Sequence, residues 1–256
     1  MVVSQKMTNF AVENSLSTIH TIMRKNILPV CVFAAASVFL MSFAACTMSV
    51  LKQETVIASD VNITKEVKLN DFKEINTVGS HNLVFIQEKE GEQPRVVIDG
   101  PDNVVALMEV EQDGDGVRIG LKEGYNVDLG NKDLVVTVYS KELRGLTLTG
   151  SGNAAIKDGL ATDGLSLSVT GSGRIIAPNI HCDGEVTTSV TGSGKIDAAA
   201  ESKHITGSVT GSGTLSLKGV TDEATFTVTG SGNIEATGLK AGKVNQSTTG
   251  SGSINL

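Results

Sequence analysis

The chain is poor in the side chains that most often build ligand sites and cross-links. Its 256 residues include no tryptophan, four prolines and three cysteines, and only 4% are aromatic. A net charge of −7 provides no basic surface for nucleic acid, so we expect no nucleic-acid partner. Beyond residue 62 no long stretch repeats its apolar residues with a helical period, which disfavours a helical bundle. Glycine, by contrast, is abundant at 28 residues, and it directs attention to turns.

Residues 23–46 have the layout of a bacterial export signal. Arg24 and Lys25 precede a long apolar run that ends in small residues directly before Cys46. This order is typical of a secretory signal, and small residues before a cysteine resemble a lipobox, in which the cysteine carries lipid. We predict a signal region at 1–45 and an exported lipoprotein of the cell envelope, at the outer membrane or cell surface, held to the membrane by lipid on Cys46. The alternative is an uncleaved anchor, because about 18–20 apolar residues can span a bilayer.

The remaining N-terminal features bear on the exported chain. Translation starts at Met1 or Met23, and the sequence leaves this choice open. Residues 46–62 are polar and are expected to form the lipidated end and a tether. Because Cys31 lies in the signal region, only Cys182 remains as an unmodified cysteine, and no intramolecular disulfide can form.

Residues 63–256 are expected to form one all-β domain. In residues 63–145, short aliphatic runs alternate with turn signals such as DGPDN and DGDG, which predicts an irregular β part. Residues 146–256 are regular, because the tetrapeptide TGSG occurs six times at intervals of 19 to 21 residues. A fixed period near 20 predicts a β-solenoid similar to a parallel β-helix, with coils of about 20 residues. The alternative is an antiparallel meander or sandwich, since TGSG between short strands also fits a hairpin loop.

Residues on either side of TGSG alternate between apolar and hydroxyl side chains. Side chains alternate between the two faces of a strand, so the apolar set predicts one buried side and the hydroxyl set one outward face. Stacking would turn the hydroxyl set into a flat ladder. We take the following residues as the candidate binding face: Thr147, Thr149, Ser168, Thr170, Ser189, Thr191, Ser208, Thr210, Thr225, Thr227, Thr229 and Thr249.

The GSG within each repeat is interpreted as a structural corner. Glycine adopts positive φ at little steric cost, and every length difference between repeats falls outside TGSG, in what we expect to be a variable second loop. Corners that stack on one another must keep one geometry. The corner glycines are Gly150, Gly152, Gly171, Gly173, Gly192, Gly194, Gly211, Gly213, Gly230, Gly232, Gly250 and Gly252.

A catalytic role for TGSG is disfavoured, because the residues that such a role requires do not accompany it in the sequence. A phosphate-binding loop needs a Gly-Lys-Ser/Thr ending that opens a helix, whereas a strand resumes here at once. A nucleophile elbow needs a histidine and an acid, and none recurs in phase with the serines. His181 beside Cys182 lacks two further ligands for a metal. We therefore predict no catalytic residue, no cofactor and no metal.

At this point the residues resemble a known family. The export signal, the FKEINTVGSHNLVFIQ segment, the PRVVIDGPDNVVALMEVEQDGDGVRIGL segment and the tandem VTGSGNI units are similar to the auto-transporter adhesin head GIN domain family (DUF2807) of exported Bacteroidota proteins. The similarity covers nearly all of residues 63–256. It implies a solenoid-like β fold and export, and it identifies no ligand.

These features predict a non-catalytic envelope lipoprotein that serves as a binding, adhesion or scaffold module for an extracellular or envelope protein or glycan. One alternative is a carbohydrate-active enzyme on a β-helix that acts on polysaccharide, and a lesser one is an ice-binding solenoid. The repeat continues to Leu256, so we also expect self-association through an open C-terminal coil.

Overall fold

The computed structural model describes residues 54–256, which form nineteen β-strands and one short helix. The signal region and Cys46 lie outside the described residues. The segment expected to be a tether is described from Glu54 onward, and its residues 54–57 already form a strand. No helix in the described part is both long and apolar enough to cross a membrane.

The N-terminal part contains the helix and nine strands. The helix α1 spans Asp102–Val105. The strands are β1 (Glu54–Ile57), β2 (Asn62–Lys68), β3 (Glu74–Gly79), β4 (Asn82–Gln87), β5 (Arg95–Pro101), β6 (Met108–Asp113), β7 (Gly116–Leu121), β8 (Tyr125–Asp128) and β9 (Val135–Ser140).

The repeat part contains ten strands, of which β16, β17 and β18 are the longest, at 17 to 18 residues. They are β10 (Gly145–Gly150), β11 (Asn153–Lys157), β12 (Leu160–Thr162), β13 (Leu165–Gly171), β14 (Arg174–Cys182), β15 (Glu185–Gly192), β16 (Lys195–Gly211), β17 (Thr214–Gly230), β18 (Asn233–Gly250) and β19 (Ser253–Asn255).

The architecture is a β-solenoid of about six turns with stacked parallel coils. The strand before each TGSG pairs in parallel with the same strand of the next coil: Leu148 lies opposite Val169, and Val169 lies opposite Val190. The strand after TGSG does the same, with Ile175 opposite Ile196. The solenoid prediction is confirmed. The hairpin alternative is wrong, because the two strands that flank each TGSG bond to neighbouring coils and not to each other.

Each coil of the repeat has three sides. The hydroxyl side precedes the corner, a second side follows it, and a short third side connects the second back to the next hydroxyl side. The third side consists of strand segments, for example residues 180–182, which pair with Ala200 and Glu201 of the next coil. Length differences are absorbed here, by a register shift between Ala177 and Ile180 and by a turn at Asp158–Gly159. The segments expected to be variable loops are therefore largely β-structure.

The part predicted to be irregular contains a coil of the same solenoid. Strand β3 pairs in parallel with β10, and β4 pairs in parallel with β11, with the corner Gly79–Ser80–His81 aligned on Gly150–Ser151–Gly152. Antiparallel strands then close this end: β6 pairs with β7, while β5 joins β9 to β2. Helix α1 buries Val104 and Val105 in the same region.

The core is one continuous column of inward side chains. The predicted inward row Leu148, Val169, Val190, Val209 and Val228 is at most 1% exposed. The few polar residues in the core have partners: Thr188 donates its hydroxyl to the carbonyl of Thr206 at 3.1 Å, and Thr221 to that of Lys203 at 3.0 Å. Within residues 54–256 no buried side-chain polar atom lacks a hydrogen-bond partner, as a close-packed interior requires.

Candidate functional site: the hydroxyl side and its corners

The first glycine of each corner is required by the turn. Gly192, for example, has φ of 108°, a region that side chains other than glycine rarely adopt. A β-carbon added to Gly192 would lie 2.7 Å from the carbonyl oxygen of Gly171 in the preceding coil. The corner therefore has neither the backbone conformation nor the space for another residue, and its role is structural, as the sequence indicates.

The corner serines contribute their backbone more than their hydroxyls. The amide of Ser193 donates to the carbonyl of Gly171 at 2.9 Å, and the amide of Ser212 donates to Gly192 at 2.8 Å. Their side chains are exposed and make no hydrogen bond to another described residue. The corner serines thus have no base that could activate them as nucleophiles, and their hydroxyls do not hydrogen-bond one corner to the next.

The stacking register aligns the predicted face into columns. The column nearest the corners contains threonine in all six coils: Thr149, Thr170, Thr191, Thr210, Thr229 and Thr249. The next column contains Thr147, Ser168, Ser189, Ser208, Thr227 and Ser247, and a third runs from Ser166 through Thr225 to Asn245. With strands about 4.8 Å apart, six coils give columns about 24 Å tall. The first column is exposed and the second mostly half-buried, so the residues predicted for the face do share one surface.

The hydroxyls of the first two columns are uncommitted. None of them donates to or accepts from another residue within 54–256, whereas the third column is partly occupied: Thr206 donates its hydroxyl to Glu185 at 2.8 Å. In the first five coils the strands that carry these hydroxyls pair with a strand on both sides. The columns thus offer an uncharged surface on which each hydroxyl is free to donate one hydrogen bond and accept others.

A charged column that sequence reasoning missed borders this surface. Glu185, His204, Glu223 and Lys243 lie opposite one another on consecutive coils. Lys243 bonds Glu223 at 2.7 Å, and this hydrogen bond lowers the pKa of the Glu223 carboxyl. The signal was present in the sequence, because these residues recur at intervals of 19 to 20 in step with TGSG.

The His181–Cys182 pair cannot act as two ligands of one metal. His181 points outward with 70% of its side chain exposed, while Cys182 is 3% exposed and faces the core. Burial also raises the pKa of the Cys182 thiol. Glu201 approaches one ring nitrogen of His181 and Asp183 the other, so these two carboxylates do not converge on one point with it. No metal-binding group of three or more such side chains occurs among residues 54–256.

The one buried histidine of the described chain occupies a corner. His81 stands where later corners have their second glycine, and its Nε2 lies 2.7 Å from the hydroxyl oxygen of Thr77. Burial lowers the pKa of His81 to about 4, so it is neutral near pH 7. Because it faces the core and not the cleft of a site, we assign it to packing.

Fold and surface together define an all-β repeat protein of the solenoid class whose most regular feature is an uncharged hydroxyl side. Residues 71–256 match the family described as "Putative auto-transporter adhesin, head GIN domain" (DUF2807), and the chain belongs to this family. The resemblance noted in the sequence is thereby confirmed.

Solved structures from Bacteroidota share the fold. A crystal structure from Parabacteroides distasonis, described as a "putative lipid binding protein", has a TM-score of 0.69 at 23% identity, covering 79% of this chain and 99% of its own. A "putative adhesin" from Bacteroides fragilis has a TM-score of 0.63 at 23% identity over 78% and 99%. Another from Parabacteroides merdae has a TM-score of 0.51 at 21% identity over 79% and 99%. A comparison with curated proteins gave no match.

Proposed function

We propose that the protein is an exported, non-catalytic binding module of adhesin type, and that it binds through its hydroxyl side. The observation that carries the proposal is the pair of in-register columns beside the corners, whose hydroxyls make no hydrogen bond within the described chain. The adhesin-type family supports an exported cell-surface protein.

The character of the surface favours a polar, extended ligand. It is uncharged and contains no aromatic ring, since both columns consist of serine and threonine. A ligand would therefore be held by repeated hydrogen bonds and shape, and not by ring stacking or charge. A protein or glycan that presents alternating donors and acceptors fits this description. Catalysis gains no support here, because hydroxyls without a base are poor nucleophiles.

We further propose that lipid on Cys46 holds the protein to the envelope membrane. The support is the sequence alone: a charged segment, an apolar run and small residues directly before the cysteine. Mass spectrometry of the protein extracted from membranes should show a lipid-modified cysteine as the first residue. An N-terminus upstream of Cys46 would contradict the proposal.

The binding proposal is tested by lysine substitutions on two sides of neighbouring coils. Ser189→Lys places a charge in the second hydroxyl column, while Ser216→Lys places it at a half-buried position on the second side of the coil. On arrays of mucin-type glycans and extracellular-matrix proteins, we expect the unsubstituted protein to be retained and Ser189→Lys to lose at least tenfold in affinity. Ser216→Lys should bind normally, and circular dichroism should show both variants folded. Equal binding by both variants would contradict the assignment of this face.

A second candidate function is ice binding, which the unbroken threonine column favours. Six threonines at a regular spacing of about 4.8 Å present a repeating pattern that an ordered water lattice can match. Thermal hysteresis of the purified protein measures this directly. A freezing point equal to the melting point would remove this candidate and leave the adhesin proposal intact.

A further inference from the structure

Exposed aliphatic side chains cluster at one place in the described chain. Ile57 is 75% exposed, Val61 58% and Ile63 42%, and all three fall within seven consecutive residues. The other large apolar side chains that are comparably exposed are spread along residues 78–256 and occur singly. Single exposed aliphatic residues need no explanation, whereas a cluster points to a contact. We call Ile57, Val61 and Ile63 the strap patch.

The backbone that carries the strap patch is fixed to the domain. Strand β1 pairs in parallel with β8, so Ile57 lies opposite Asp128. The side chain of Asn103 donates to the carbonyl of Ile57 at 2.8 Å and accepts from the amide of Ser59 at 2.9 Å. Lys132 donates to the carbonyl of Ala58 at 2.6 Å. The backbone that carries the three exposed aliphatic side chains is thus fixed to the domain and is not a loose terminus.

The strap patch lies at the end of the solenoid that antiparallel strands close. Val61 accepts a hydrogen bond from the amide of Asp102, and Ile63 lies opposite Gly100 on β5. From β2 the strands follow in the order β5, β9, β4, β11, β14, β16, β17, β18 and β19. Nine spacings of about 4.8 Å place the last strand about 43 Å from this end.

The length of chain before the patch indicates what covers it. Seven residues lie between Cys46 and Glu54, and the eight residue steps from one to the other can span at most about 28 Å. A lipid on Cys46 would therefore hold the patch close to the membrane surface. We propose that the strap patch rests on the lipid bilayer, with Ile57, Val61 and Ile63 in contact with its surface. This inference rests on the proposed lipid anchor.

The charges around the patch determine the kind of bilayer. Asp60 has 97% of its side chain exposed, and Asp99 and Asp102 lie on the neighbouring strand and helix. Lys132 is already paired with Asp60 at 3.0 Å. Carboxylates give no attraction to anionic lipid, so the contact is apolar and suits a zwitterionic surface. Three aliphatic side chains bury less apolar surface than one acyl chain, so the contact forms only while the lipid holds the protein in place.

The proposal fixes how the binding surface is displayed. With the closed end on the membrane, the coils stack away from it and the hydroxyl columns rise along the stack. The coil around Thr249 then stands farthest from the bilayer, where an adhesin would meet its target.

The test compares two similarly exposed valines by fluorescence. Val61→Cys and Val220→Cys, at positions that are 58% and 51% exposed, are labelled with the dye NBD in the lipidated protein extracted from membranes and reconstituted in phosphatidylcholine vesicles. Unsubstituted protein labelled in parallel gives the background from buried Cys182. We expect the label at position 61 to shift to the blue and to be quenched at least twofold by doxyl-labelled lipid. The label at position 220 should stay in water and remain unquenched.

Two further outcomes separate this inference from the anchor on which it rests. If the protein floats with the vesicles while the label at position 61 behaves like that at 220, the docking inference is overturned and the anchor stands. If the protein does not float, the anchor fails and the docking inference falls with it. Adding Ile57→Ser and Ile63→Ser to Val61→Cys should reduce the quenching while flotation persists, and unchanged quenching would overturn the role of the patch.

Discussion

A substitution at a corner glycine tests the central structural claim, that the corner is constrained by both backbone conformation and stacking. The change is Gly192→Ala. Its β-carbon would require an alanine at φ of 108° and would lie 2.7 Å from the carbonyl oxygen of Gly171. The same carbonyl accepts the amide of Ser193, so moving it away also strains a hydrogen bond between coils.

The cost of the backbone conformation and the cost of the steric contact can be separated, because the protein contains a glycine with positive φ and no close neighbour. Gly91 has φ of 98°, and a β-carbon added there meets nothing within 4 Å. Gly91→Ala should therefore lower the free energy of unfolding by about 1–2 kcal/mol, because it adds only backbone strain. Gly192→Ala adds the displacement of a packed neighbour, about 1–3 kcal/mol, for a total loss of about 2–5 kcal/mol. That is a large share of the about 5–15 kcal/mol by which a typical domain is stable.

Equilibrium unfolding in guanidinium chloride, followed by far-ultraviolet circular dichroism, measures both variants. Ser193→Ala serves as a control, since the amide of Ser193, and not its exposed hydroxyl, makes the contact with Gly171. We expect the order Ser193→Ala, Gly91→Ala, Gly192→Ala from least to most destabilised. Equal losses for the two glycines would refute the claim that the preceding coil restricts the corner.

Three further predictions follow from the buried residues. His81 has a pKa of about 4 in the folded protein and 6.5 in the unfolded chain, so the unfolded chain binds a proton more readily. The free energy of unfolding is therefore highest above pH 6.5 and falls by about 3 kcal/mol as the pH drops to 4. His81→Gln should remove this part of the pH dependence, as measured by unfolding titrations at several pH values. Phe226→Ala should lower the free energy of unfolding by about 3–5 kcal/mol and Gly207→Ala by about 1–3 kcal/mol, because an added β-carbon at Gly207 would lie 2.8 Å from the Leu215 side chain and 2.9 Å from the Phe226 ring. In unfolding titrations the double variant should lose less than the sum, since it removes the contact with Phe226 while the contact with Leu215 remains. Cys182 should react with a thiol reagent only in denaturant, since it is 3% exposed and burial raises the pKa of its thiol; rapid labelling of the folded protein would contradict its placement in the core.

Much of the repeat could be read from the sequence because its physical constraints are local. The alternation of Leu and Thr in residues 146–149 assigns each side chain to a face, and a fixed period forces equivalent residues into register. The hydroxyl columns were therefore predicted residue by residue. The placement of the columns on one surface follows from stacking, whereas the nature of a ligand does not, since a hydroxyl accepts and donates without preference.

The remainder depended on contacts between distant residues. Residues 180–182 alternate in burial but are too few to identify a strand by pattern alone, and the pairing of Ile180 and His181 with Ala200 and Glu201 reveals the third side. The strap patch was missed for a similar reason. Residues 54–63 mix five apolar side chains with charged and hydroxyl ones without sustained alternation, and their fixed position depends on Asn103 and Lys132, which lie far along the chain.

The corner at His81 shows that the two glycines of GSG are required for different physical reasons. Gly79 still has positive φ, at 133°, although the only atoms near its missing β-carbon belong to the His81 side chain, so the turn itself demands the first glycine. The second position tolerates an imidazole at residue 81, yet a β-carbon on Gly152 in the next coil would lie 2.4 Å from the carbonyl oxygen of His81. The second glycine is therefore required by the coil beneath it. The second glycine recurs from Gly152 to Gly252 because each of these corners stacks on the corner before it. The corner Gly79–Ser80–His81 is the first of this stack.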